Sequence, residues 1–174
     1  QAEFSAGRAA ARAALATLAH PACAVPANTD RAPQWPVGII GSITHSATAC
    51  LAAVARAGSL RGIGLDLEPD EPLPEGLEAE ILLPGERAWL ATRSMAERGF
   101  LARLLFSAKE AAYKAQYPAS GALFGFDAMQ IDLASETGHF TAVLGVPADP
   151  YPVGMTMAGR FARCEGHILT AVIL

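Results

Sequence analysis

Hydrophobic and polar positions alternate in GIGLDLEPD, residues 62–70. Its apolar side chains fall on one side of an extended chain, and two carboxylates, Asp66 and Glu68, fall on the other. A rise of roughly 3.3 Å per residue places these carboxylates about 6.6 Å apart. Two interpretations stay open: the solvated face of an antiparallel sheet, or a site for a hard cation such as Mg²⁺.

The first part of the chain predicts a helix, a loop and two strands. SAGRAAARAALATLAH is rich in alanine and leucine, which predicts a helix capped by Ser5 and ended by Pro21. Residues 21–36 contain four prolines and predict a loop. VGIIGSITHS and CLAAVARAG predict two short strands, and the second leads through AGSLRG into GIGLDLE.

The second part predicts helices followed by a sheet. A mixed acid and proline segment after residue 68 is typical of a surface loop that includes one short helix. One further helix starts near Glu86, and a longer one covers residues 98–116, where Pro118 stops it. Residues 126–174 alternate and are interrupted by glycine and proline, which predicts an antiparallel sheet.

Composition and charge narrow the class of protein. The chain has 174 residues and is 52% hydrophobic, enough for one domain or two small subdomains that share a core. We expect an N-terminal subdomain over residues 1–60 and a C-terminal subdomain over residues 61–174. A net charge of −4 argues against a nucleic-acid binder, and the apolar runs are too short to span a membrane. Three cysteines without CxxC spacing, and no visible signal peptide, lead us to expect a cytoplasmic protein.

FSAKEAAYKA contains the only two lysines, Lys109 and Lys114. On a helix, Glu110 and Lys114 share one face at i and i+4. Taken alone, the segment favours a capping box between Ser107 and Glu110 and an ordinary surface ion pair. The alternative is a Mg²⁺ site with a nearby ammonium, which is what a pyrophosphate-containing substrate needs.

WPVGIIGSITHS is a third segment that could contribute to a binding site. Gly38 and Gly41 permit close backbone approach, and the hydroxyls around Ser42 offer hydrogen-bond donors. His45 could meet a phosphate, although a single histidine near the end of a strand is more often structural.

Together these segments resemble the Sfp-type 4′-phosphopantetheinyl transferases, in the branch of the enterobactin synthase component EntD. The resemblance covers nearly the whole chain and is carried, in order, by GRAAARAAL, DRAPQWPVGIIGSITHS, GIGLDLEP, FSAKEAAYKA and HILTAVIL. It implies an α/β (α+β) fold of two similar subdomains related by a pseudo-twofold axis, each a small, mainly antiparallel sheet packed with helices. Family members carry a further segment before the first helix, so we expect the N-terminal subdomain to lack its natural N-terminal segment. The resemblance also implies a monomer.

The resemblance implies transfer of the phosphopantetheine arm of coenzyme A onto a serine of an apo acyl, peptidyl or aryl carrier protein. Adenosine 3′,5′-bisphosphate is the implied second product, and Mg²⁺ (Mn²⁺ as an alternative) is the implied metal. The pathway, whether siderophore, polyketide, nonribosomal peptide or fatty acid, stays open. A Mg²⁺-dependent nucleotide phosphohydrolase and a non-catalytic subunit that binds coenzyme A or a carrier protein are the alternative functions.

The resemblance also assigns roles to residues. The implied Mg²⁺ ligands are the three carboxylates Asp66, Glu68 and Glu110. The implied contacts to coenzyme A are made by cations and polar groups: Arg8, Arg12, Arg31, Ser42, His45, Lys109 and Lys114. Lys114 would stabilise the leaving group. Glu110, directly or through a metal-bound water, would take the proton of the carrier serine.

Overall fold

The alanine-rich first segment forms helix α1 (Ala2–Thr17) in the computed structural model, which describes residues 2–174. The helix already includes Ser5, so the predicted cap at Ser5 is wrong. Helix formation does not need this cap, because the residues before Ser5 are themselves compatible with a helix. Residues 21–36 form the predicted loop, with one isolated bridge between Ala27 and Pro33.

A two-stranded antiparallel sheet follows, made of β1 (Ile39–His45) and β2 (Cys50–Arg56) as predicted. Helix α1 packs on it through a small core of Ala11, Leu15, Val25 and Ile39. Gly41 allows the expected close approach. A Cβ there would lie 2.6 Å from the Ala53 carbonyl oxygen and 2.8 Å from the Trp35 ring.

A second sheet contains five antiparallel strands in the order β3-β7-β6-β5-β4. Its members are β3 (Ile63–Pro69), β4 (Met129–Ala134), β5 (His139–Leu144), β6 (Thr156–Cys164) and β7 (His167–Ile173). The predicted C-terminal sheet is therefore confirmed. The GIGLDLE strand is its edge strand and pairs with β7, so that Asp66 lies opposite Thr170.

Three α-helices lie between β3 and β4: α2 (Leu77–Ile81), α3 (Pro84–Ala91) and α4 (Met95–Ser120). Helix α4 continues through Pro118, so the predicted stop at this proline is wrong. Pro118 lies in the last turn, where its missing N–H removes a single helical hydrogen bond. The helix ends instead at Gly121, whose φ of +62° is left-handed and whose N–H donates to the Tyr117 carbonyl at 2.8 Å.

Strand β3 packs directly on helix α4 through small residues. A Cβ on Gly64 would lie 1.8 Å from the Ala111 carbonyl oxygen, and one on Gly62 would lie 1.9 Å from the Ala115 carbonyl oxygen. Ala111 and Ala115 are fully buried. The face that carries Asp66 is therefore covered by α4, and Asp66 is only 4% exposed. The interpretation of this face as solvated is wrong.

The α+β class with antiparallel sheets and packed helices is confirmed. Each sheet carries one helix across it, α1 on the first and α4 on the second. The subdomain boundary near residue 60 and the pseudo-twofold relation stay predictions. Among the helices described over residues 2–174, none is both long and apolar enough to cross a membrane.

Candidate active site

The two sheets meet where side-chain hydroxyls of β1 accept backbone N–H groups of β3. The Leu65 N–H donates to Ser42 Oγ at 3.0 Å, and the Leu67 N–H donates to Thr44 Oγ1 at 2.9 Å. Both hydroxyl residues are buried. A hydroxyl that accepts one hydrogen bond keeps its own O–H to donate. The contacts with Ser42 and Thr44 therefore bring Asp66, which lies between Leu65 and Leu67, beside β1.

Asp66 is the central acid of the site. Its Oδ1 accepts a hydrogen bond from Lys114 Nζ at 2.6 Å and a longer one, at 3.4 Å, from Thr44 Oγ1. Its Oδ2 is buried without a hydrogen-bond partner among the described residues. A buried carboxylate oxygen normally has a partner, so this one marks the place where a ligand atom fits.

Glu110 lies on α4 one turn before Lys114, and its Oε2 is 3.9 Å from Lys114 Nζ. Burial raises the pKa of Glu110; the charge of Lys114 opposes this rise and that of Asp66 adds to it. The capping-box interpretation is wrong, because Ser107 is fully buried in the middle of α4 and hydrogen-bonds Thr170. The i, i+4 pair is therefore part of a partly buried charge cluster.

Glu68 is held by a residue that the sequence analysis did not single out. Arg103 Nη1 donates to Glu68 Oε2 at 2.8 Å, and the same guanidinium donates to the carbonyls of Glu71 and Pro72. Burial raises the pKa of Glu68, the charge of Asp66 adds to this, and Arg103 opposes it. Arg103 could have been found only by its spacing on α4, where it lies seven residues, or two turns, before Glu110.

The implied Mg²⁺ would have the carboxylates of Asp66, Glu68 and Glu110 as its ligands. Among the side chains described, those of residues 4–174, no three His, Cys, Asp or Glu side chains converge as a ready metal site. The local chemistry nevertheless suits a hard cation, since Asp66 offers an unpartnered buried oxygen. In addition, Asp66 raises the pKa of both Glu68 and Glu110, and a cation between these acids would relieve that repulsion.

A cleft of about 850 Å³ lies between the proline-rich loop, β1 and α4. Four of the predicted site residues line it: Arg31, Ser42, Glu110 and Lys114. Asp66 adjoins it through its contact with Lys114. The structure therefore brings together, in one place, residues from three separate sequence segments.

Three other predicted contacts to coenzyme A do not line this cleft. Arg12 and His45 are exposed, at α1 and at the end of β1. Arg8 is 9% exposed and its guanidinium lies 4.7 Å from the centroid of the Phe4 ring. Burial lowers the pKa of Arg8, and its Nε has no hydrogen-bond partner among the described residues, which suits an anion.

The structure gives Lys109 a different role from the expected contact to coenzyme A. It is 2% exposed, and its ammonium donates to Glu86 Oε2 at 2.8 Å, to the Ile81 carbonyl at 2.9 Å and to the Phe126 carbonyl at 3.0 Å. Its three donors are therefore used inside the protein. Glu86 in turn accepts the N–H of Ile131, so the pair fastens α4 to α3 and β4.

Lys109→Met is expected to lower the free energy of unfolding by about 3 to 5 kcal/mol, because it leaves the Glu86 carboxylate buried without its cation. The free energy is measured by urea denaturation followed by circular dichroism. Arg87→Met, which removes an exposed cation from α3, is the matched control and should change stability by less than about 1 kcal/mol. A Lys109→Met variant that stays stable but has lost affinity for coenzyme A would instead support a direct contact between Lys109 and coenzyme A.

Comparison with known proteins identifies the family. The 4′-phosphopantetheinyl transferase N-terminal domain matches residues 1–55, and the 4′-phosphopantetheinyl transferase superfamily matches residues 62–151. The chain is 42% identical to the 4′-phosphopantetheinyl transferase Svp of Streptomyces mobaraensis, over 98% of this chain and 70% of that protein. It is 39% identical to Npt of Nocardia iowensis, over 98% of this chain and 80% of that protein.

A structural comparison agrees with the fold. The holo-[acyl-carrier-protein] synthase of Thermotoga maritima superposes with a TM-score of 0.51 at 21% identity, over 66% of this chain and 63% of that one. Enterobactin synthase component D of Salmonella typhimurium is 34% identical over 95% of this chain and 66% of that protein, which confirms the predicted branch. The chain therefore belongs to the 4′-phosphopantetheinyl transferase superfamily and is a transferase.

Proposed function

We propose that this chain transfers the phosphopantetheine arm of coenzyme A onto a serine of an apo carrier protein and requires Mg²⁺. The observation that carries the proposal is the group formed by Asp66, Glu110 and Lys114 beside a cleft large enough for a nucleotide. Several relatives are themselves named 4′-phosphopantetheinyl transferases, which supports the same reaction here. A cytoplasmic monomer is part of the proposal.

The transfer breaks the phosphoanhydride bond of coenzyme A and forms a phosphodiester on the carrier serine. The serine oxygen of the carrier forms a bond to the β-phosphorus of coenzyme A, and the bond from that phosphorus to the bridging oxygen breaks. The electron pair of the broken bond leaves with adenosine 3′,5′-bisphosphate. The protein mainly positions the reactants and neutralises charge in such a reaction.

Glu110 is the proposed acceptor of the serine proton. It lines the cleft, where its carboxylate can reach the hydroxyl of a serine that enters there. Lys114, whose ammonium is already shared between Asp66 and Glu110, would stabilise the negative charge that develops on the leaving oxygen. Asp66, Glu68 and Glu110 would hold Mg²⁺, which supplies positive charge to the pyrophosphate when bound.

Arg31 and Ser42 are the proposed phosphate contacts within the cleft. Arg31 is exposed on its lining and offers a planar fork of donors. Ser42 accepts the Leu65 N–H, so its O–H stays available to a phosphate oxygen. Arg8, Arg12 and His45 lie outside the lining and would contact only parts of coenzyme A that extend beyond it.

The proposal is tested by incubating the protein with coenzyme A, Mg²⁺ and an apo carrier protein and weighing the carrier by mass spectrometry. The expected result is a mass gain of the carrier equal to the phosphopantetheine arm. The gain should not occur when EDTA is present from the start, nor with a carrier whose acceptor serine is replaced by alanine. Hydrolysis of coenzyme A without a mass gain would indicate the phosphohydrolase instead. Binding of coenzyme A with neither reaction would indicate a non-catalytic subunit.

A further inference from the structure

A hydrogen bond connects the proline-rich loop to helix α4 at the cleft. The Tyr117 hydroxyl donates to Asp30 Oδ2 at 2.5 Å, between residues that are 87 positions apart in sequence. Both residues line the cleft. Tyr117 lies three residues beyond Lys114 on α4, so this contact is separate from the carboxylate cluster around Asp66.

Asp30 also shapes the turn that carries Arg31. Its Oδ1 accepts the Ala32 N–H at 2.9 Å, the Arg31 N–H donates to the Asn28 carbonyl at 2.9 Å, and the Asn28 N–H donates to the Ala32 carbonyl at 2.8 Å. Within this turn Arg31 has a φ of +71°. A non-glycine residue keeps such a left-handed conformation only where its surroundings impose it. One Asp30 oxygen therefore fixes the turn, while the other ties the turn to α4.

The charges of the pair favour the hydrogen bond at neutral pH. The bond to Asp30 raises the pKa of Tyr117 to about 12, and the bond from Tyr117 lowers the pKa of Asp30. The donor therefore stays protonated while the acceptor is ionised, which gives a charge-assisted hydrogen bond. The ring of Tyr117 is also stacked on Tyr113, with centroids 5.6 Å apart, so the hydroxyl is presented from an ordered side chain.

We propose that Asp30 and Tyr117 are positioning residues, whose hydrogen bond holds Arg31 at the cleft in the orientation needed to bind a phosphate group of coenzyme A. This inference rests on the proposed function. The bridge between Ala27 and Pro33 and the backbone hydrogen bonds of the turn close this loop around Arg31, and the contacts of Asp30 add the link from the turn to α4. A turn whose backbone is fixed before the ligand arrives loses less conformational entropy on binding.

The first test uses isothermal titration calorimetry to compare the affinity of the unsubstituted protein for coenzyme A with that of the Tyr117→Phe variant. Tyr117→Phe removes only the hydroxyl, and the dissociation constant is expected to rise about fivefold to tenfold with little change in melting temperature. Tyr151→Phe is the matched control, because the Tyr151 hydroxyl is buried without a hydrogen-bond partner among the described residues. Its affinity should equal that of the unsubstituted protein.

A double-mutant cycle then tests whether the hydrogen bond acts through Arg31. Arg31→Ala alone should weaken binding, and adding Tyr117→Phe should weaken it no further, because the residue being positioned is already absent. Additive losses would overturn the inference, and so would unchanged affinity in Tyr117→Phe. Absence of binding by the unsubstituted protein would overturn the proposed function together with the inference.

Discussion

Glu110→Gln is expected to lower the rate of phosphopantetheine transfer by about 10²-fold or more, which is the contribution typical of a positioned general base. The amide cannot take the proton of the carrier serine, and it also weakens the proposed Mg²⁺ site. The fold should stay intact, because burial already disfavours the charged form of Glu110 and a neutral side chain of the same shape removes that penalty. Initial rates are measured by mass spectrometry of the carrier.

The matched control for Glu110→Gln is Glu136→Gln, which makes the same chemical change at an exposed position on a short 3₁₀ helix (Ser135–Thr137). It should transfer at the unsubstituted rate. Substantial residual activity in Glu110→Gln would reject Glu110 as the base. Urea denaturation of both variants shows whether any loss of rate comes from loss of structure.

Gly64→Ala should destabilise the protein by at least about 3 kcal/mol, a large share of the total stability of an ordinary domain. The new methyl carbon would lie 1.8 Å from the Ala111 carbonyl oxygen, and this oxygen belongs to the backbone of α4. No rotamer change relieves such a contact, so β3 and α4 must separate. The free energy of unfolding is obtained from urea denaturation followed by circular dichroism.

Gly85→Ala provides the comparison for Gly64→Ala. Gly85 lies in α3, and a Cβ there meets no atom within 4 Å. Alanine is favoured over glycine in helices, so this variant should match or exceed the unsubstituted stability by up to about 1 kcal/mol. Equal stabilities for the two alanine variants would mean that β3 and α4 do not pack at the distance described.

Much of the secondary structure could be predicted because alternation along a strand is a local property. The strands β1, β2 and β3 and the C-terminal sheet all follow from it. The continuation of α1 before Ser5 and of α4 through Pro118 could not be predicted, since both residues are compatible with a helical turn when their neighbours continue the helix. At Pro118 the deciding residue is Gly121, which is three positions farther along and adopts the left-handed conformation.

The contacts of the site depended on packing that no single segment reveals. Asp66 and Lys114 meet because Gly64 on β3 has no side chain and lets β3 approach the Ala111 backbone of α4 closely. The small residues were visible in the sequence, but their pairing was not. Of the two lysines expected to contact coenzyme A, Lys109 is instead surrounded by oxygens of the protein itself.

The contact between the two sheets has a mechanical consequence. Each sheet keeps an uninterrupted backbone ladder, and the hydrogen bonds that cross from β1 to β3 end on the hydroxyls of Ser42 and Thr44. Separating β1 from β3 at this seam would break these side-chain bonds and leave both ladders whole. Since Ser42 also lines the cleft, this part of the cleft wall is joined to β3 through a side-chain hydroxyl and not through a backbone ladder.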